Sequence, residues 1–283
     1  FSMHSLYEWT HEHAIAHDPL IQHKLPYLNT PGFLIRCGIY FAIWTFLAYR
    51  LSGLSRGADA KDNPETVKRM RVVAAPGLLA FSLAATFASF DWVMSLEPHW
   101  FSSIFGAIFM VSAGLSTMLF MAILAHHLSK REPLKNVITT QQFHDFGNWC
   151  FAFTILWTYM NFVQFLIIWS GNLYEETFWY LKRGKDGWLE FSMVFAVVLF
   201  FVPFILMLFR NNKRNSKVFA SIAVVLLAAR YMEMLWLIAP TFSFRSHAFA
   251  FHWMDLAAMA GIGGTWLWLF ANGLKKAPFL SGD

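Results

Sequence analysis

The fold is decided by the stretch VFASIAVVLLAARYMEMLWLIA at 218–239. This stretch is apolar almost throughout, and it is long enough to cross the hydrocarbon core of a bilayer, which takes about 20 helical residues. It nevertheless holds Arg230 and Glu233, and charges in hydrocarbon are costly, rare and usually found on an ion, proton or ligand route. The stretch therefore predicts a membrane protein whose helices do more than anchor it.

Six further stretches have the same character. The seven predicted spans lie at about 33–51, 74–96, 103–126, 148–170, 188–209, 218–239 and 251–272. Because lipid offers the backbone no hydrogen-bond partners, each span is expected to be a helix. Of the 283 residues only 14% are charged, against about 25% in soluble domains. The sequence thus predicts an all-α, polytopic transmembrane helix bundle over 33–283, preceded by a polar segment at 1–32.

Lysine and arginine predict the orientation of the bundle. Fifteen of them lie in alternate loops and the tail, against five on the opposite side. By the positive-inside rule the richer side is cytoplasmic. The parts that then face outward are 1–32 and the loops 97–102, 171–187 and 240–250. The same rule explains the net charge of +5 without a nucleic-acid partner. An outward start is unusual for a polytopic chain, so an odd number of earlier helices is expected before Phe1.

Ionisable residues from several spans are predicted to lie in the outer half of the membrane, at a rise of about 1.5 Å per residue. The candidates for a proton route are Asp91, Glu97, Arg230, Glu233, His252 and Asp255, with Arg36 and His99 in support. One interpretation is a set of structural ion pairs, such as Arg230 with Glu233 or Arg36 with Asp255. The other is a proton route or polar ligand cavity, because burial raises the pKa of a lone carboxylate, as a proton carrier requires.

The inner half holds fewer candidates. His126 and His144 lie at the inner ends of the third and fourth spans and are predicted to form the inner entrance of the route. Asn161 and Gln164 are three residues apart, so they share a helix face in the fourth span. Such amides either hydrogen-bond between helices or belong to an inner half-channel that leads to the central ion pair. Both interpretations remain open at this point.

Histidines and cysteines do not form the pattern of a cofactor site. Cys37 and Cys150 are far apart and no CxxC occurs, so neither an iron–sulfur cluster nor zinc is expected. The histidines lie at span ends or in loops rather than as facing pairs inside spans, which argues against haem b. The sequence HEHAIAH at 11–17 is not the zinc motif HExxH. We expect no metal site and no redox centre in this chain.

Four segments carry a resemblance to a known family. They are SLYEWTHEHA at 5–14, YLNTPGFLIRCGIYF at 27–41, FASFDWVMSLEPHWFSSIFG at 87–106 and RYMEMLWLIAP at 230–240. These segments are similar to the integral membrane ActF component of alternative complex III, a bacterial quinol:electron-acceptor oxidoreductase, and to the NrfD and polysulfide-reductase membrane proteins. The resemblance covers nearly the whole chain. It implies a longer protein of roughly ten helices, of which these seven are the C-terminal part.

The resemblance implies a place in the respiratory chain. The subunit would carry no redox centre and would have no catalytic residues of its own, while menaquinone is the small molecule that it could contact. Haem c and iron–sulfur clusters would belong to its partners, which are a second NrfD-like membrane subunit, an iron–sulfur subunit, multihaem and monohaem cytochrome c subunits and, in some complexes, a terminal cytochrome oxidase. It would lie in the bacterial cytoplasmic membrane, with 1–32 periplasmic and the C-terminus cytoplasmic, and conduct protons or act structurally.

Two other functions compete with this interpretation. A stand-alone proton- or sodium-coupled transporter of the inverted-repeat type would have interrupted helices in both halves, whereas Pro203 in the fifth span has no evident counterpart. Gly261, Gly263 and Gly264 in the seventh span permit close approach of another helix. A purely structural scaffold for cytochrome subunits would use 1–32 and the aromatic loop 97–102 as its docking surface.

Overall fold

The structure, a computed structural model, describes residues 3–59, 64–132, 134–185, 187–242 and 252–275. Seven of its helices are long and apolar enough to cross a membrane, and no β-strand occurs in these ranges. The seven spanning helices are α1 (Thr30–Asp59), α2 (Pro64–Trp92), α3 (Phe105–Leu128), α4 (Thr140–Gly171), α6 (Trp188–Leu208), α7 (Ser216–Phe242) and α8 (Trp253–Lys275). A short helix, α5 (Tyr174–Lys182), lies between α4 and α6 in the chain. The predicted all-α polytopic bundle is confirmed, and the chain is a multi-pass membrane protein.

Two parts of the predicted topology lie outside the described residues. They are the outward loop after α7, at 243–251, and the C-terminal tail, at 276–283. The helices themselves extend beyond several predicted spans. The capping box that Thr139 forms with Gln142 starts α4 at Thr140, eight residues before the predicted start at 148. The polar first turns of α4 therefore belong to the helix, and His144 lies on it rather than before it.

The helices pack in a chain of neighbours. α1 packs against α2, α2 against α3, and α3 also against α4 and α7. Gly106 allows the α2–α3 contact, because a Cβ at this position would lie 2.5 Å from Cγ2 of Thr86. The main core is formed by side chains such as Leu119 of α3, Cys150 of α4 and Leu226 of α7, which are almost fully buried. α3 is therefore the central helix of the bundle.

Two spanning helices contain a wider, π-helical turn. Pro203 has no N–H to donate to the carbonyl four residues earlier, and α6 widens at Val197–Phe201, just before it. A second such turn lies at Met259–Gly263 in α8 and was not anticipated from the sequence. Both helices continue past these turns, so neither turn is the unwound break that inverted-repeat transporters use.

α8 lies on the outside of the bundle. None of its described residues is buried, and the ring of its Trp266 packs edge-on against Phe120 of α3 at 5.2 Å between centroids. Gly261, Gly263 and Gly264 have no neighbouring helix against them among the described residues, since an added Cβ at each would meet nothing within 4 Å. Lipid or a further chain is the natural neighbour of this face.

Residues 3–28, which we call the cap, fold into short helices over one end of the bundle, which we call the cap end. Trp9 and Ile21 of the cap are almost fully buried in a cluster with Leu96 at the end of α2. Lys24 donates to the carbonyl of Pro98 at 2.5 Å. The segment that is polar in sequence therefore has an apolar inner face that fixes it to the loop at 97–102.

Asp18 links the cap to this loop. Its Oδ1 accepts the N–H groups of Leu20 and Ile21, and its Oδ2 lies 2.5 Å from Nε2 of His99. Burial raises the pKa of Asp18, but the hydrogen bonds from His99 and from the two N–H groups outweigh it and hold the pKa below its ordinary 3.8. A carboxylate whose pKa is lower in the folded than in the unfolded protein stabilises the fold at pH values above its unfolded pKa. This stabilisation is lost as the pH falls through the folded pKa.

We therefore expect the cap to loosen in acid. Limited proteolysis should cut residues 3–28 faster below about pH 4 than at pH 7, and Asp18→Asn should speed cleavage at pH 7, because asparagine keeps the helix cap but loses the charge that faces His99. Asp145→Asn, at the exposed start of α4, is the control and should leave cleavage unchanged. Equal resistance of Asp18→Asn and the control would contradict the prediction.

Candidate functional site

A buried ion pair lies where three helices meet. Nη1 of Arg230 is 3.0 Å from Oε2 of Glu233, one turn further along α7. Ser112 of α3 donates to Oε2 at 2.8 Å, and Nε1 of Trp157 of α4 donates to Oε1 at 2.6 Å. The ion pair predicted between Arg230 and Glu233 is confirmed. Its carboxylate joins α3, α4 and α7, which no local sequence pattern indicated.

The guanidinium of Arg230 keeps hydrogen-bonding capacity at this depth. Its Nη1 also contacts Oγ of Ser112 at 3.2 Å, and its Cζ lies 4.3 Å from the ring centroid of Trp157. Its Nε and Nη2 are buried and have no hydrogen-bond partner among the described residues. Buried polar atoms are nearly always hydrogen-bonded in proteins. We therefore expect these two N–H groups to donate to a water molecule or to a mobile proton acceptor.

A small enclosed space adjoins Glu233 on the side of the cap end. This central cavity of about 20 Å³ is bordered by Ser112, Asn161, Gln164, Tyr180 and Glu233, together with aromatic side chains. Its size suits one water molecule. Beyond Ser112 and Glu233, its lining continues to Phe105 at the start of α3, Leu237 near the end of α7 and Tyr180 of α5, so the cavity extends from the ion pair toward the cap end.

The two amides of α4 lie nearer the cap end than the sequence analysis placed them. Oε1 of Gln164 accepts a hydrogen bond from Ser102, in the loop before α3, at 2.9 Å, and its Nε2 donates to the hydroxyl of Tyr180 at 3.2 Å. Nδ2 of Asn161 donates within α4, to the carbonyl of Trp157. The predicted inner half-channel through Asn161 and Gln164 was therefore wrong in position, because loop and α5 groups at the cap end hold Gln164.

The opposite half of the bundle is largely apolar. His126 is buried with Nδ1 unpaired among the described residues, but it lies roughly 20 Å along α3 from Ser112. The buried side chains of Leu115, Leu119 and Ala122 fill α3 between them. The hydroxyls there, on Ser116, Thr154 and Thr158, donate to carbonyls of their own helices. Within the part of the chain that the structure describes, the polar contacts of His144 are with neighbours on its own helix, Asn148 at 3.3 Å and Asp145 at 3.8 Å.

Glu97 is the centre of a second cluster. Its Oε1 accepts from the hydroxyl of Thr241 at 2.8 Å and lies 3.4 Å from Nζ of Lys182 and 3.7 Å from Nη1 of Arg183. Glu97 lies at the edge of an open polar space of about 360 Å³, which we call the vestibule. The other ionisable residues at its edge are His4, Glu8, His11, His99 and Lys182.

Arg183 is the functional candidate that the sequence analysis missed, since it was counted only as a loop residue. Its side chain is 2% exposed. It donates to the carbonyls of Trp236, Trp179 and Leu237 at 3.1, 3.1 and 2.7 Å, and it stacks on the Trp179 ring at 3.5 Å. Burial lowers the pKa of Arg183 to about 10, against the opposing effect of Glu97. It is therefore charged at neutral pH.

Asp91 forms a third cluster, between α1 and α2. Arg36 binds it through two parallel hydrogen bonds of 2.8 and 2.9 Å, and the hydroxyl of Tyr40 donates to it at 2.7 Å. The predicted pair of Arg36 with Asp255 was wrong, because Asp91 takes the guanidinium. Bidentate binding and full burial of Asp91 make this cluster a strong link between the two helices.

His252 and Asp255 stay apart from these clusters. His252 is the residue before α8 and Asp255 lies in its first turn; Nδ1 of His252 accepts the N–H of Met254, and Oδ2 of Asp255 accepts the N–H of His252 at 3.1 Å. The hydroxyl of Tyr231 donates to the backbone carbonyl of Asp255 at 2.7 Å. The sequence analysis grouped these two side chains with Glu233 by depth, whereas here they cap their own helix.

A wide groove on the lipid-facing surface runs between α4, α5 and α6. It measures about 850 Å³, and its aromatic walls include Phe162, Phe165 and Phe200. Asn161 and Tyr180 border both this groove and the central cavity. An apolar molecule in the groove would therefore lie next to polar groups that also face Glu233.

No protein-family model matches this chain, and no curated protein sequence matches it. Within the described residues, no group of three or more His, Cys, Asp and Glu side chains is arranged to hold a metal ion. The chain is therefore a polytopic helical membrane protein with a buried Arg–Glu pair.

Proposed function

We propose that this chain is a non-redox membrane subunit of a bacterial respiratory menaquinol:cytochrome c, or menaquinol:terminal oxidase, oxidoreductase, and that it contributes a proton route. The resemblance of 5–14, 27–41, 87–106 and 230–240 to the ActF and NrfD-like proteins supports membership in such a complex. The observation that carries the proton route is the buried carboxylate of Glu233 beside a cavity of the size of one water molecule.

Proton transfer through this site would use the groups that can gain and lose a proton. Glu233 would exchange protons with water in the central cavity, while Ser112 and Trp157 hold its oxygens in place. The amide of Gln164 does not titrate near neutral pH, so it would orient the Tyr180 hydroxyl rather than carry a proton. Glu97, at the vestibule, is the next carboxylate toward the cap end.

The orientation of this route follows from the positive-inside rule. The basic loops then face the cytoplasm and the cap faces the periplasm, so the central cavity lies on the periplasmic side of Glu233. The cytoplasmic leg from His126 and His144 would cross the apolar side chains of Leu115 and Leu119. We propose that this leg conducts only when water enters between α3 and its neighbours.

A quinone-facing surface is a second candidate function, favoured by the aromatic groove. A menaquinol ring needs apolar walls and a few hydrogen-bonding groups, and Asn161 and Tyr180 supply such groups at the groove. A photoreactive menaquinol analogue should label peptides within 157–169 and 189–201, and excess unmodified analogue should compete. Labelling that is confined to partner subunits would contradict this candidate.

The complex itself is tested by gentle detergent purification from the native membrane. We expect an iron–sulfur subunit, c-type cytochromes and a second NrfD-like subunit to co-purify, with a haem c difference spectrum and oxidation of a menaquinol analogue. A single colourless polypeptide would instead favour a stand-alone proton- or sodium-coupled transporter. If the chain is purely a scaffold, deletion of residues 1–25 should detach partners while carboxylate substitutions change little.

A further inference from the structure

The short helix α5 forms a wall between two polar spaces. Phe178 and Lys182 border the vestibule, whereas Trp179 and Tyr180, between them in sequence, border the central cavity. On a helix, residues 178 and 182 share one face and residues 179 and 180 point elsewhere. α5 therefore separates the outer polar space from the space beside Glu233.

Arg183 follows α5 and contacts both sides of this wall. Its guanidinium stacks on Trp179 and donates to the carbonyls of Trp236 and Leu237, and these three residues border the central cavity. Its Nη1 reaches 3.7 Å from Glu97 at the vestibule. A buried cation thus occupies the layer between the two spaces.

Aromatic rings pack around Arg183 in this layer. Trp100 stacks on Trp179 at 4.6 Å between ring centroids, and Trp236 meets Trp179 edge-on at 5.1 Å. Indole rings offer no group that accepts and releases protons near neutral pH. Among the contacts of the described residues, the Arg183 guanidinium is therefore the charged group that reaches both sides of this wall.

Lys182 and Arg183 both face the carboxylate of Glu97. One carboxylate is shared by Lys182 and Arg183, so the three side chains together carry a formal charge of +1. Arg183 is shielded from solvent, and a fixed positive charge in a poorly hydrated constriction excludes cations and protons from a pore. We infer that Arg183 is the electrostatic barrier that prevents protons from leaking between the vestibule and the central cavity. This inference rests on the proton route proposed above.

The test is a leak assay on the whole protein, together with the subunits that co-purify with it. Liposomes that contain the protein and an internal pH-sensitive dye receive an external acid step, with the membrane potential clamped and no quinol present. We expect Arg183→Gln to raise passive proton influx about tenfold, since one buried charge changes a crossing barrier by that order. Arg183→Lys keeps the charge and should stay near the wild type. Arg214→Gln, an exposed arginine at the opposite end, should leave the influx unchanged.

A second variant is needed because Arg183 also donates hydrogen bonds to three backbone carbonyls, so its replacement can disturb folding. Lys182→Gln lowers the formal charge of the trio from +1 to zero without touching those bonds, and it should raise the influx by a smaller factor. Wild-type influx in both variants would overturn the barrier. The barrier is also overturned if the leak of Arg183→Gln persists in the double variant Arg183→Gln/Glu233→Gln, since that leak would bypass the route.

The two proposals can fail separately. If neither variant leaks while Glu233→Gln still lowers proton release during turnover, the barrier is wrong and the route stands. If Glu233→Gln releases protons like the wild type, the route itself is wrong, whatever the leak assay gives.

Discussion

Replacement of Glu233 by glutamine is expected to lower the number of protons released per electron while electron transfer continues. Glutamine has nearly the shape of glutamate, and its amide oxygen can still accept from Trp157, but it cannot take up a proton at neutral pH. Since positioned proton carriers contribute about 10²–10⁴-fold to a transfer step, conduction through this route should fall by on the order of 100-fold. The measurement is proton release per electron by the reconstituted complex during menaquinol oxidation.

The stability of this variant needs its own control. Glu233→Gln leaves the buried Arg230 charge without its carboxylate, and loss of one partner of a buried pair costs about 3–5 kcal/mol. The double variant Arg230→Met/Glu233→Gln removes both charges, so it should assemble more like the wild type and still fail to conduct. Glu175→Gln, in the exposed first turn of α5, is the matched carboxylate control. Wild-type proton release in an assembled double variant would disprove a route through Glu233.

Replacement of Asp91 by alanine is expected to destabilise the protein strongly without changing proton release. The variant leaves the guanidinium of Arg36 and the hydroxyl of Tyr40 without their shared acceptor between α1 and α2. Asp91 is fully buried but the Arg36 side chain is 20% exposed, so the expected loss is about 3 kcal/mol, the lower end for a broken buried pair. Thermal unfolding in detergent, followed by tryptophan fluorescence, measures it.

The Asp91 prediction has a rescue and a control. Arg36→Met/Asp91→Leu replaces the pair with apolar side chains and should recover most of the loss, because such replacements are often neutral or stabilising. Glu65→Gln alters the exposed pair with Arg69 on the same helix, and exposed pairs are worth about 0–1 kcal/mol. Unfolding of Asp91→Ala at the same temperature as Glu65→Gln would contradict a structural link. If folded Asp91→Ala releases fewer protons per electron than the wild type, Asp91 belongs to the proton route and the prediction is wrong.

The Arg230–Glu233 pair could be found from the sequence because it is local. The two residues are three apart on one helix, so any α-helix brings them together. Arg36 and Asp91 are 55 residues apart, and their pairing depends on how α1 and α2 are rotated about their axes. Depth along a helix axis follows from counting residues, but rotation does not. For that reason the prediction chose Asp255 as the partner of Arg36 and grouped His252 with the central cluster.

The helical, membrane-spanning class of this chain and the seven spans within its described residues could be recognised from the sequence alone. A bilayer requires about 20 apolar residues per helix and satisfied backbone hydrogen bonds, and both conditions act on each segment separately. The pairing of the charges, the positions of the cavities and the burial of Arg183 between them became visible only in the folded chain. These features arise from contacts among α3, α4, α5 and α7, and such contacts depend on side-chain packing between distant segments, which no single segment encodes.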